Sequence, residues 1–476
     1  MFQKKFLSSL FWMVVLNILI KPFAIFGIDA AVQNNVGTKE YGFYFTLLNF
    51  SYLFNIVLDL GVTNFNTKHV AQYPHLMQRY MGKIISLRII LLLIYFGISL
   101  GLGIMLGFSP RQFNCLYFLL LTQFFVSVLL FFRSYLAGLL LFKWDIVLSV
   151  LDRIFLIALV GGILVTQTTF KIEWFIYAQT ITFGMAALVA VIVVFYKVGI
   201  PKIQWHWSIN QLIIIKSYPY ALLILLMMMY SKMDTLMIER WHVDGLKQVG
   251  IYAQAYRLLD ASFMFLMLFT NLLLPLFTKS LSNRNQLMEL IGISFALLFV
   301  TTFTLSIIGY RYSSTILELL YTHDLLKTSI NFKILITSLI PSSFILLLST
   351  LLTAKGDLKV MNMISFGGLF CNLFFNILFI PNYGAQGAAM GTLISQSIIV
   401  IVYAVLTAKK FNIELNWKSM SKYLVFMLIG GSMFLLSYYF ESGFKEMLVL
   451  FICLMSIGFM IQLIPLKLFI HSIVKK

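Results

Sequence analysis

Apolar runs of about 20 residues follow one another along the whole 476-residue chain, and this feature narrows the available folds more than any other. At 1.5 Å of rise per residue, a helix of about 20 residues crosses the roughly 30 Å hydrocarbon core of a bilayer. Membrane strands need only about 9 to 11 residues and alternate in polarity, which these runs do not. With 61% hydrophobic and 11% charged residues, the chain is too apolar to be surrounded by water. The expectation is an all-α integral membrane protein of about 14 transmembrane helices. They fall near residues 8–33, 42–65, 84–107, 114–137, 146–166, 174–196, 212–236, 250–275, 289–309, 330–353, 360–381, 385–408, 421–440 and 446–466. No small-residue cleavage site follows the first run, so it is expected to remain as a helix. On this parse every loop is short, at most about twenty residues, so any chemistry must sit among the helices.

The formal charge of +18 does not mark a nucleic-acid partner, because the basic residues are scattered singly among apolar runs and form no stripe. Topology accounts for the excess. With the amino terminus placed in the cytoplasm, twenty Lys and Arg fall on the inner side: Lys4, Lys5, Lys68, Arg79, Lys83, Lys143, Lys197, Lys202, Lys216, Lys279, Arg284, Lys355, Lys359, Lys409, Lys410, Lys418, Lys422, Lys467, Lys475 and Lys476. Eight fall outside: Lys39, Arg111, Lys171, Arg240, Lys247, Arg311, Lys327 and Lys445. Such a bias in short loops follows the positive-inside rule, and with an even number of spans it puts both termini in the cytoplasm. Cys115, Cys371 and Cys453 lie inside apolar runs and read as packing residues. The six histidines fall in loops or at span ends without metal-ligand spacing, so the sequence calls for no metal and no cofactor.

Twelve charges remain inside the spans: Lys21, Arg88, Arg133, Arg153, Lys232, Arg257 and Lys333, with Asp29, Asp59, Asp152, Asp234 and Asp260. Each costs about 2.5 to 3.5 kcal/mol at a helix centre, so each is expected to face a watery cavity or to be paired. Asp29 and Lys333 sit near span ends and read as anchors. The other ten lie in the first eight spans, so a polar cavity is expected among the early helices, with the last four spans as lipid-facing supports. Lys21 is about 13 residues into the first span, roughly 20 Å deep and beyond easy snorkelling. Pro22 follows it and should kink the helix, and Asn17 shares its face one turn earlier. Arg88, Arg133, Asp59, Asp152 and Arg153 lie nearer the cytoplasmic ends, where they would form a basic mouth that closes as an ion-paired gate. Arg257 and Asp260 share one face of the eighth span. Intramembrane carboxylates such as Asp234 are the usual seat of proton or sodium coupling.

A short repeat relates Gly37–Tyr44 (GTKEYGFY) to Gly250–Tyr256 (GIYAQAY), six spans later, as parallel transporter repeats would be. Together with LDLGVTNF (Leu58–Phe65), SKMDTLMIE (Ser231–Glu239), VGIYAQAYRL (Val249–Leu258), AKGDLK (Ala354–Lys359) and IPNYGAQGAAMGTLISQ (Ile380–Gln396), the chain resembles the polysaccharide transporter, or oligosaccharide flippase, family, whose superfamily also contains lipid II flippases and multidrug extruders. The resemblance covers essentially the whole chain. It implies two six-helix lobes around a central cavity, residues 1–211 and 212–411, with two C-terminal helices in 412–476. It also implies a polyprenyl-diphosphate-linked oligosaccharide as substrate, moved across the bacterial inner membrane for O-antigen, capsule or exopolysaccharide, with other membrane proteins of polysaccharide assembly as partners. On that reading Lys21, Arg88, Arg133, Arg153 and Arg257 hold the diphosphate or sugar, since guanidinium groups suit its oxygens. Asp59, Asp152, Asp234 and Asp260 serve cation coupling or gating. The alternatives are a lipid II flippase or drug extruder of the same superfamily and, from another class, a membrane-embedded polysaccharide polymerase or glycosyltransferase. The enzymes need a sizeable outer catalytic loop, whereas the longest here, residues 310–329, is short and mostly hydrophobic.

Overall fold

The computed structural model describes residues 15–463, apart from 18, 64, 65, 67–69, 71–76, 168, 204, 206, 414–416, 441 and 442. Lys4, Lys5, Lys68, Lys467, Lys475, Lys476 and four of the histidines (His69, His75, His206 and His471), as well as Asn64 and Phe65 of the LDLGVTNF motif, lie outside the described residues. Among the described residues the regular elements are all helices. The main ones are α1 (Ala30–Leu53), α2 (Met77–Met105), α3 (Pro110–Gly138), α4 (Phe142–Leu148), α5 (Leu151–Thr166), α6 (Ile172–Val198), α7 (Trp207–Trp241), α8 (Gly245–Ser280), α9 (Arg284–Arg311), α10 (Leu325–Thr337), α11 (Leu339–Lys355), α12 (Leu358–Tyr383), α13 (Ala385–Phe411), α14 (Trp417–Leu436) and α15 (Phe444–Met460).

Each predicted run is mostly helix where it is described, but the count differs. Eleven helical stretches among the described residues are long and apolar enough to cross a membrane. The first two expected spans run on as one stretch, Val15–Asp59, marked off from each other only by Gly37 at φ 79° and ψ 168°. Two helices on expected spans stand outside the eleven. One is α8, which carries Lys247, Arg257, Asp260 and Lys279; the other is α15, of 17 residues. The fifth and tenth runs are interrupted, between α4 and α5 and at Ser338 between α10 and α11. After Pro22 the backbone passes through a π-helical turn, Ala24–Asp29. Proline lacks the N–H that the regular ladder needs, and π turns of this kind are often found at functional sites. Asp29, expected as an interfacial anchor, is instead buried and accepts a hydrogen bond from the Tyr41 hydroxyl at 2.9 Å.

The described chain divides into two compact units. The first runs to Arg240 and adds Asp244–Gly250; the second takes Trp241–Val243 and continues from Ile251. In the first, α3 packs along α6, and α6 along α5. Its core joins Met81, Leu87, Phe131, Tyr135, Ala186 and Val194. Helix α3 starts as its sequence dictates: Ser109 and Gln112 form a reciprocal capping box, with Pro110 at the first helical position. In the second unit α12 packs along α13. Alanine or any larger residue at Gly387 would put its Cβ 2.5 Å from the Phe379 carbonyl oxygen, so the glycine of the YGAQGAA turn is what lets the two helices close. Met363, Phe366, Phe370, Phe374 and Ile377 form an exposed stripe on α12, as a lipid-facing helix should. Its other face buries Asn372 and Asn376, hydrogen-bonded to each other at 3.0 Å, so this late helix is a support with a polar interior side.

Candidate functional site: a cationic cluster in the first unit

Lys21 lies half-buried in the helical stretch that opens the chain, one residue before Pro22. Asn17, one turn earlier, donates to the Ser149 hydroxyl at 3.1 Å and so ties this stretch to the joint between α4 and α5. That joint presents the neighbours of Lys21: Arg153, Asp152 and Arg133 are all within electrostatic range of its ammonium group. Asp152 is buried and lies 3.4 Å from its neighbour Arg153, whose guanidinium rests 5.1 Å from the centre of the Phe183 ring. Arg133, from α3, donates through Nε to Asp145 of α4 at 2.7 Å. Three cations therefore face two carboxylates, leaving one positive charge in surplus. Among the described residues, Lys21 itself makes no hydrogen bond or ion pair. A half-buried, unengaged ammonium beside a partly exposed guanidinium is suited to two or more oxygens of an incoming phosphate.

Asp145 is not among the intramembrane charges expected from the sequence. It follows Lys143 and Trp144 in what reads as a cytoplasmic loop, and the turn at residues 139–141 folds it back onto Arg133. The only signal for this pairing is the separation of twelve residues, about the length that two helical ends and a tight turn occupy.

Arg88 is differently placed. Its guanidinium is buried and pairs with Asp59, donates to the Ser127 carbonyl and hydroxyl at 3.0 Å each and to the Thr63 hydroxyl at 2.9 Å, and lies 4.3 Å from the centre of the Phe131 ring. Asp59 ends the short helix Ile56–Asp59 and also accepts from the Thr63 amide at 3.2 Å and from its hydroxyl. Arg88 and Arg133 are thus each engaged by a carboxylate, Asp59 and Asp145.

Asp234 is buried on α7, next to buried Thr235 and two residues after half-buried Lys232. Arg257 and Asp260 belong to the second unit, half-buried and one helical turn apart on α8. A second polar network in the first unit escapes the sequence reading as well. Arg111, at the start of α3, bridges Glu40 of α1 at 2.5 Å and Glu173 of α6 at 2.7 Å, with its guanidinium 4.5 Å from the centre of the Phe43 ring. In the sequence these are three unremarkable interfacial charges, 71 and 62 residues from one another across Arg111.

Helices of this number and order, eleven stretches of which among the described residues are long and apolar enough to cross a membrane, define a polytopic α-helical membrane protein. The fold resembles the lipid II flippase MurJ in an inward closed conformation, with a TM-score of 0.70, 15% identity and coverage of 98% of this chain and 99% of that one. It also resembles an inward-facing multidrug resistance MATE transporter (TM-score 0.65, 13% identity, 83% and 94% covered). A superfamily transporter from Pyrococcus furiosus, described as having a binding pocket of reverse polarity, is similar as well (0.62, 12%, 85% and 94%). No curated protein matches the chain. The family described as "Polysaccharide biosynthesis protein" matches residues 6–281, more than half the chain, and the MatE family matches residues 219–378. The chain belongs to the polysaccharide biosynthesis protein family.

Proposed function

We propose that the protein flips a polyprenyl-diphosphate-linked oligosaccharide across the bacterial inner membrane, for surface polysaccharide assembly, by alternating access of two six-helix lobes, residues 1–211 and 212–411. The observation that carries this reading is the surplus positive charge at Lys21 and Arg153, held at membrane depth without full neutralisation. A diphosphate brings the matching charge into a site where water is scarce and each charge-assisted bond is strong. The family description supports a role in polysaccharide synthesis. The reverse-polarity pocket described for the Pyrococcus transporter supports a pocket charge that varies within the superfamily and so can be matched to an anionic cargo. Lys21 and Arg153 make the first contacts with the diphosphate. Arg133 and Arg88 join once Asp145 and Asp59 are displaced, and Asp59, Asp152 and Asp234 couple this exchange to proton or sodium entry.

The test is transbilayer movement of a fluorescent polyprenyl diphosphate oligosaccharide in proteoliposomes, with and without an imposed proton or sodium gradient. Lys21→Ala removes a charged bond worth about 1.5 to 3 kcal/mol, so movement should slow roughly 10- to 100-fold. Movement of lipid II in preference to any longer glycan would favour the lipid II alternative. Chemical conversion of the lipid without movement would replace this reading with an enzyme.

A further inference from the structure

The short sequence repeat falls into register differently from the way its glycines first suggest. Lys39-Glu40-Tyr41-Gly42-Phe43-Tyr44 matches Lys247-Gln248-Val249-Gly250-Ile251-Tyr252 at a constant offset of 208 residues. Both glycines, with the residues leading up to them, belong to the first compact unit, and there they meet. A Cβ built on Gly42 would lie 1.8 Å from the Leu246 carbonyl oxygen, and one built on Gly250 would lie 1.8 Å from the Thr38 carbonyl oxygen. With the same offset, Leu246 is the equivalent of Thr38. The two contacts are thus one contact made twice, each glycine of one repeat lying against the carbonyl four residues before the glycine of the other. This is the signature of a two-fold crossing of α1 and the start of α8, with Cα–H groups set against carbonyls. Small residues at a crossing are how helices approach closely in lipid, where no hydrophobic force drives them together.

Three further contacts hold the same end of the unit. Gln33 donates to the Gly250 carbonyl at 3.0 Å, Gln112 donates to Glu239 at 3.3 Å, and Arg240 lies 5.2 Å from the centre of the Phe108 ring. Each joins α1 or the region around the start of α3 to the end of α7 or the start of α8. The charge asymmetry assigns this end to the outside of the membrane.

We propose that the Gly42–Gly250 crossing is a clasp that holds the outward exit shut in this conformation, and that it must part for cargo to leave. This rests on the flippase reading. The clasp requires bare backbone at both glycines. A methyl at either position needs about 1.6 Å more room to bring the contact from 1.8 Å to the 3.4 Å of ordinary packing, and the Gln33 bond does not survive that separation. Packed crossings of this kind are bistable, so the substitution shifts population toward the parted state instead of stretching the closed one.

The experiment measures distance and does not depend on the cargo. Spin labels at Lys39→Cys and Lys247→Cys, two exposed equivalents in the repeat, are placed in full-length protein in nanodiscs with Cys115, Cys371 and Cys453 replaced by serine. With both glycines present, a short-distance population should dominate. Gly42→Ala and Gly250→Ala should each move at least half of it to longer distance. Gly101→Ala, where nothing lies within 4 Å of the added carbon, should change nothing. Folded Gly42→Ala and Gly250→Ala proteins with the unaltered short distance would overturn the clasp. If either variant fails to fold, the same cysteine pair in the native-glycine protein is cross-linked with a short reducible reagent. Transport that stops and returns on reduction supports the clasp, and transport unaffected by the cross-link overturns it. Absence of any transported lipid would count against the flippase reading and leave the distance result standing.

Discussion

Among the buried charges, Lys21 and Arg88 look alike in sequence, each a cation inside an apolar run, yet the structure gives them opposite environments. Arg88 is engaged by Asp59, Thr63, Ser127 and Phe131, while Lys21 is near charges but bonded to none among the described residues. The first is therefore tied into the fold, and the second is the cation that the proposed diphosphate would meet first. Asp59→Ala strands the buried guanidinium, which costs about 3 to 5 kcal/mol for a fully buried pair and somewhat less here, because the Asp59 side chain retains 27% exposure. Thermal unfolding of purified protein should show that loss, and the double variant Asp59→Leu with Arg88→Met should recover most of it. An unchanged melting temperature in Asp59→Ala would mean that the pair contributes nothing to stability. Depth made Lys21 legible in the sequence, because a lysine roughly 20 Å into a span has no easy route to water. The Arg88–Asp59 and Arg133–Asp145 pairings were not legible, since they depend on which helix faces which, and hydropathy does not record that.

At the scale of elements, run length located the helices because lipid demands about 20 apolar residues and leaves few alternatives. The breaks inside the fifth and tenth runs were not legible, since each depends on a local backbone choice, whereas the one at Gly37 falls in the gap expected between the first two spans. At Gly37 the φ of 79° and ψ of 168° lie in a region open essentially to glycine alone. A side chain there meets no neighbouring atom, so any penalty comes from the backbone and not from crowding. Gly37→Ala should therefore cost about 1 to 3 kcal/mol. Gly101→Ala, in the regular interior of α2, should be neutral or slightly stabilising, by up to about 1 kcal/mol. Thermal unfolding of the two variants side by side checks this, and equal melting temperatures would show that the chain relaxes around residue 37 without strain. The break also turns the segment that carries Gly42, so the glycine between the first two expected spans bears on the approach of the proposed clasp.

For the whole molecule, the sequence supplies an orientation through its loops. Placing twenty basic residues inside and eight outside puts Lys143 and Lys359 in the cytoplasm and Lys39 and Lys327 outside, and all four side chains are exposed in the structure. The proposed clasp at Gly42 and Gly250 is an exit only if its end faces outward, so that proposal depends on this orientation. A membrane-impermeant thiol reagent applied to intact bacterial cells should label Lys39→Cys and Lys327→Cys in a protein lacking its native cysteines. Lys143→Cys and Lys359→Cys should react only after the cells are permeabilised. The reverse pattern would turn the molecule over, making the clasp an entrance and the Lys21 cluster a site loaded from outside. Labelling of all four positions in intact cells would show that the charge bias does not set a single topology. Since the bias is spread over many loops, moving any one lysine should not invert the protein, and the four positions should report together.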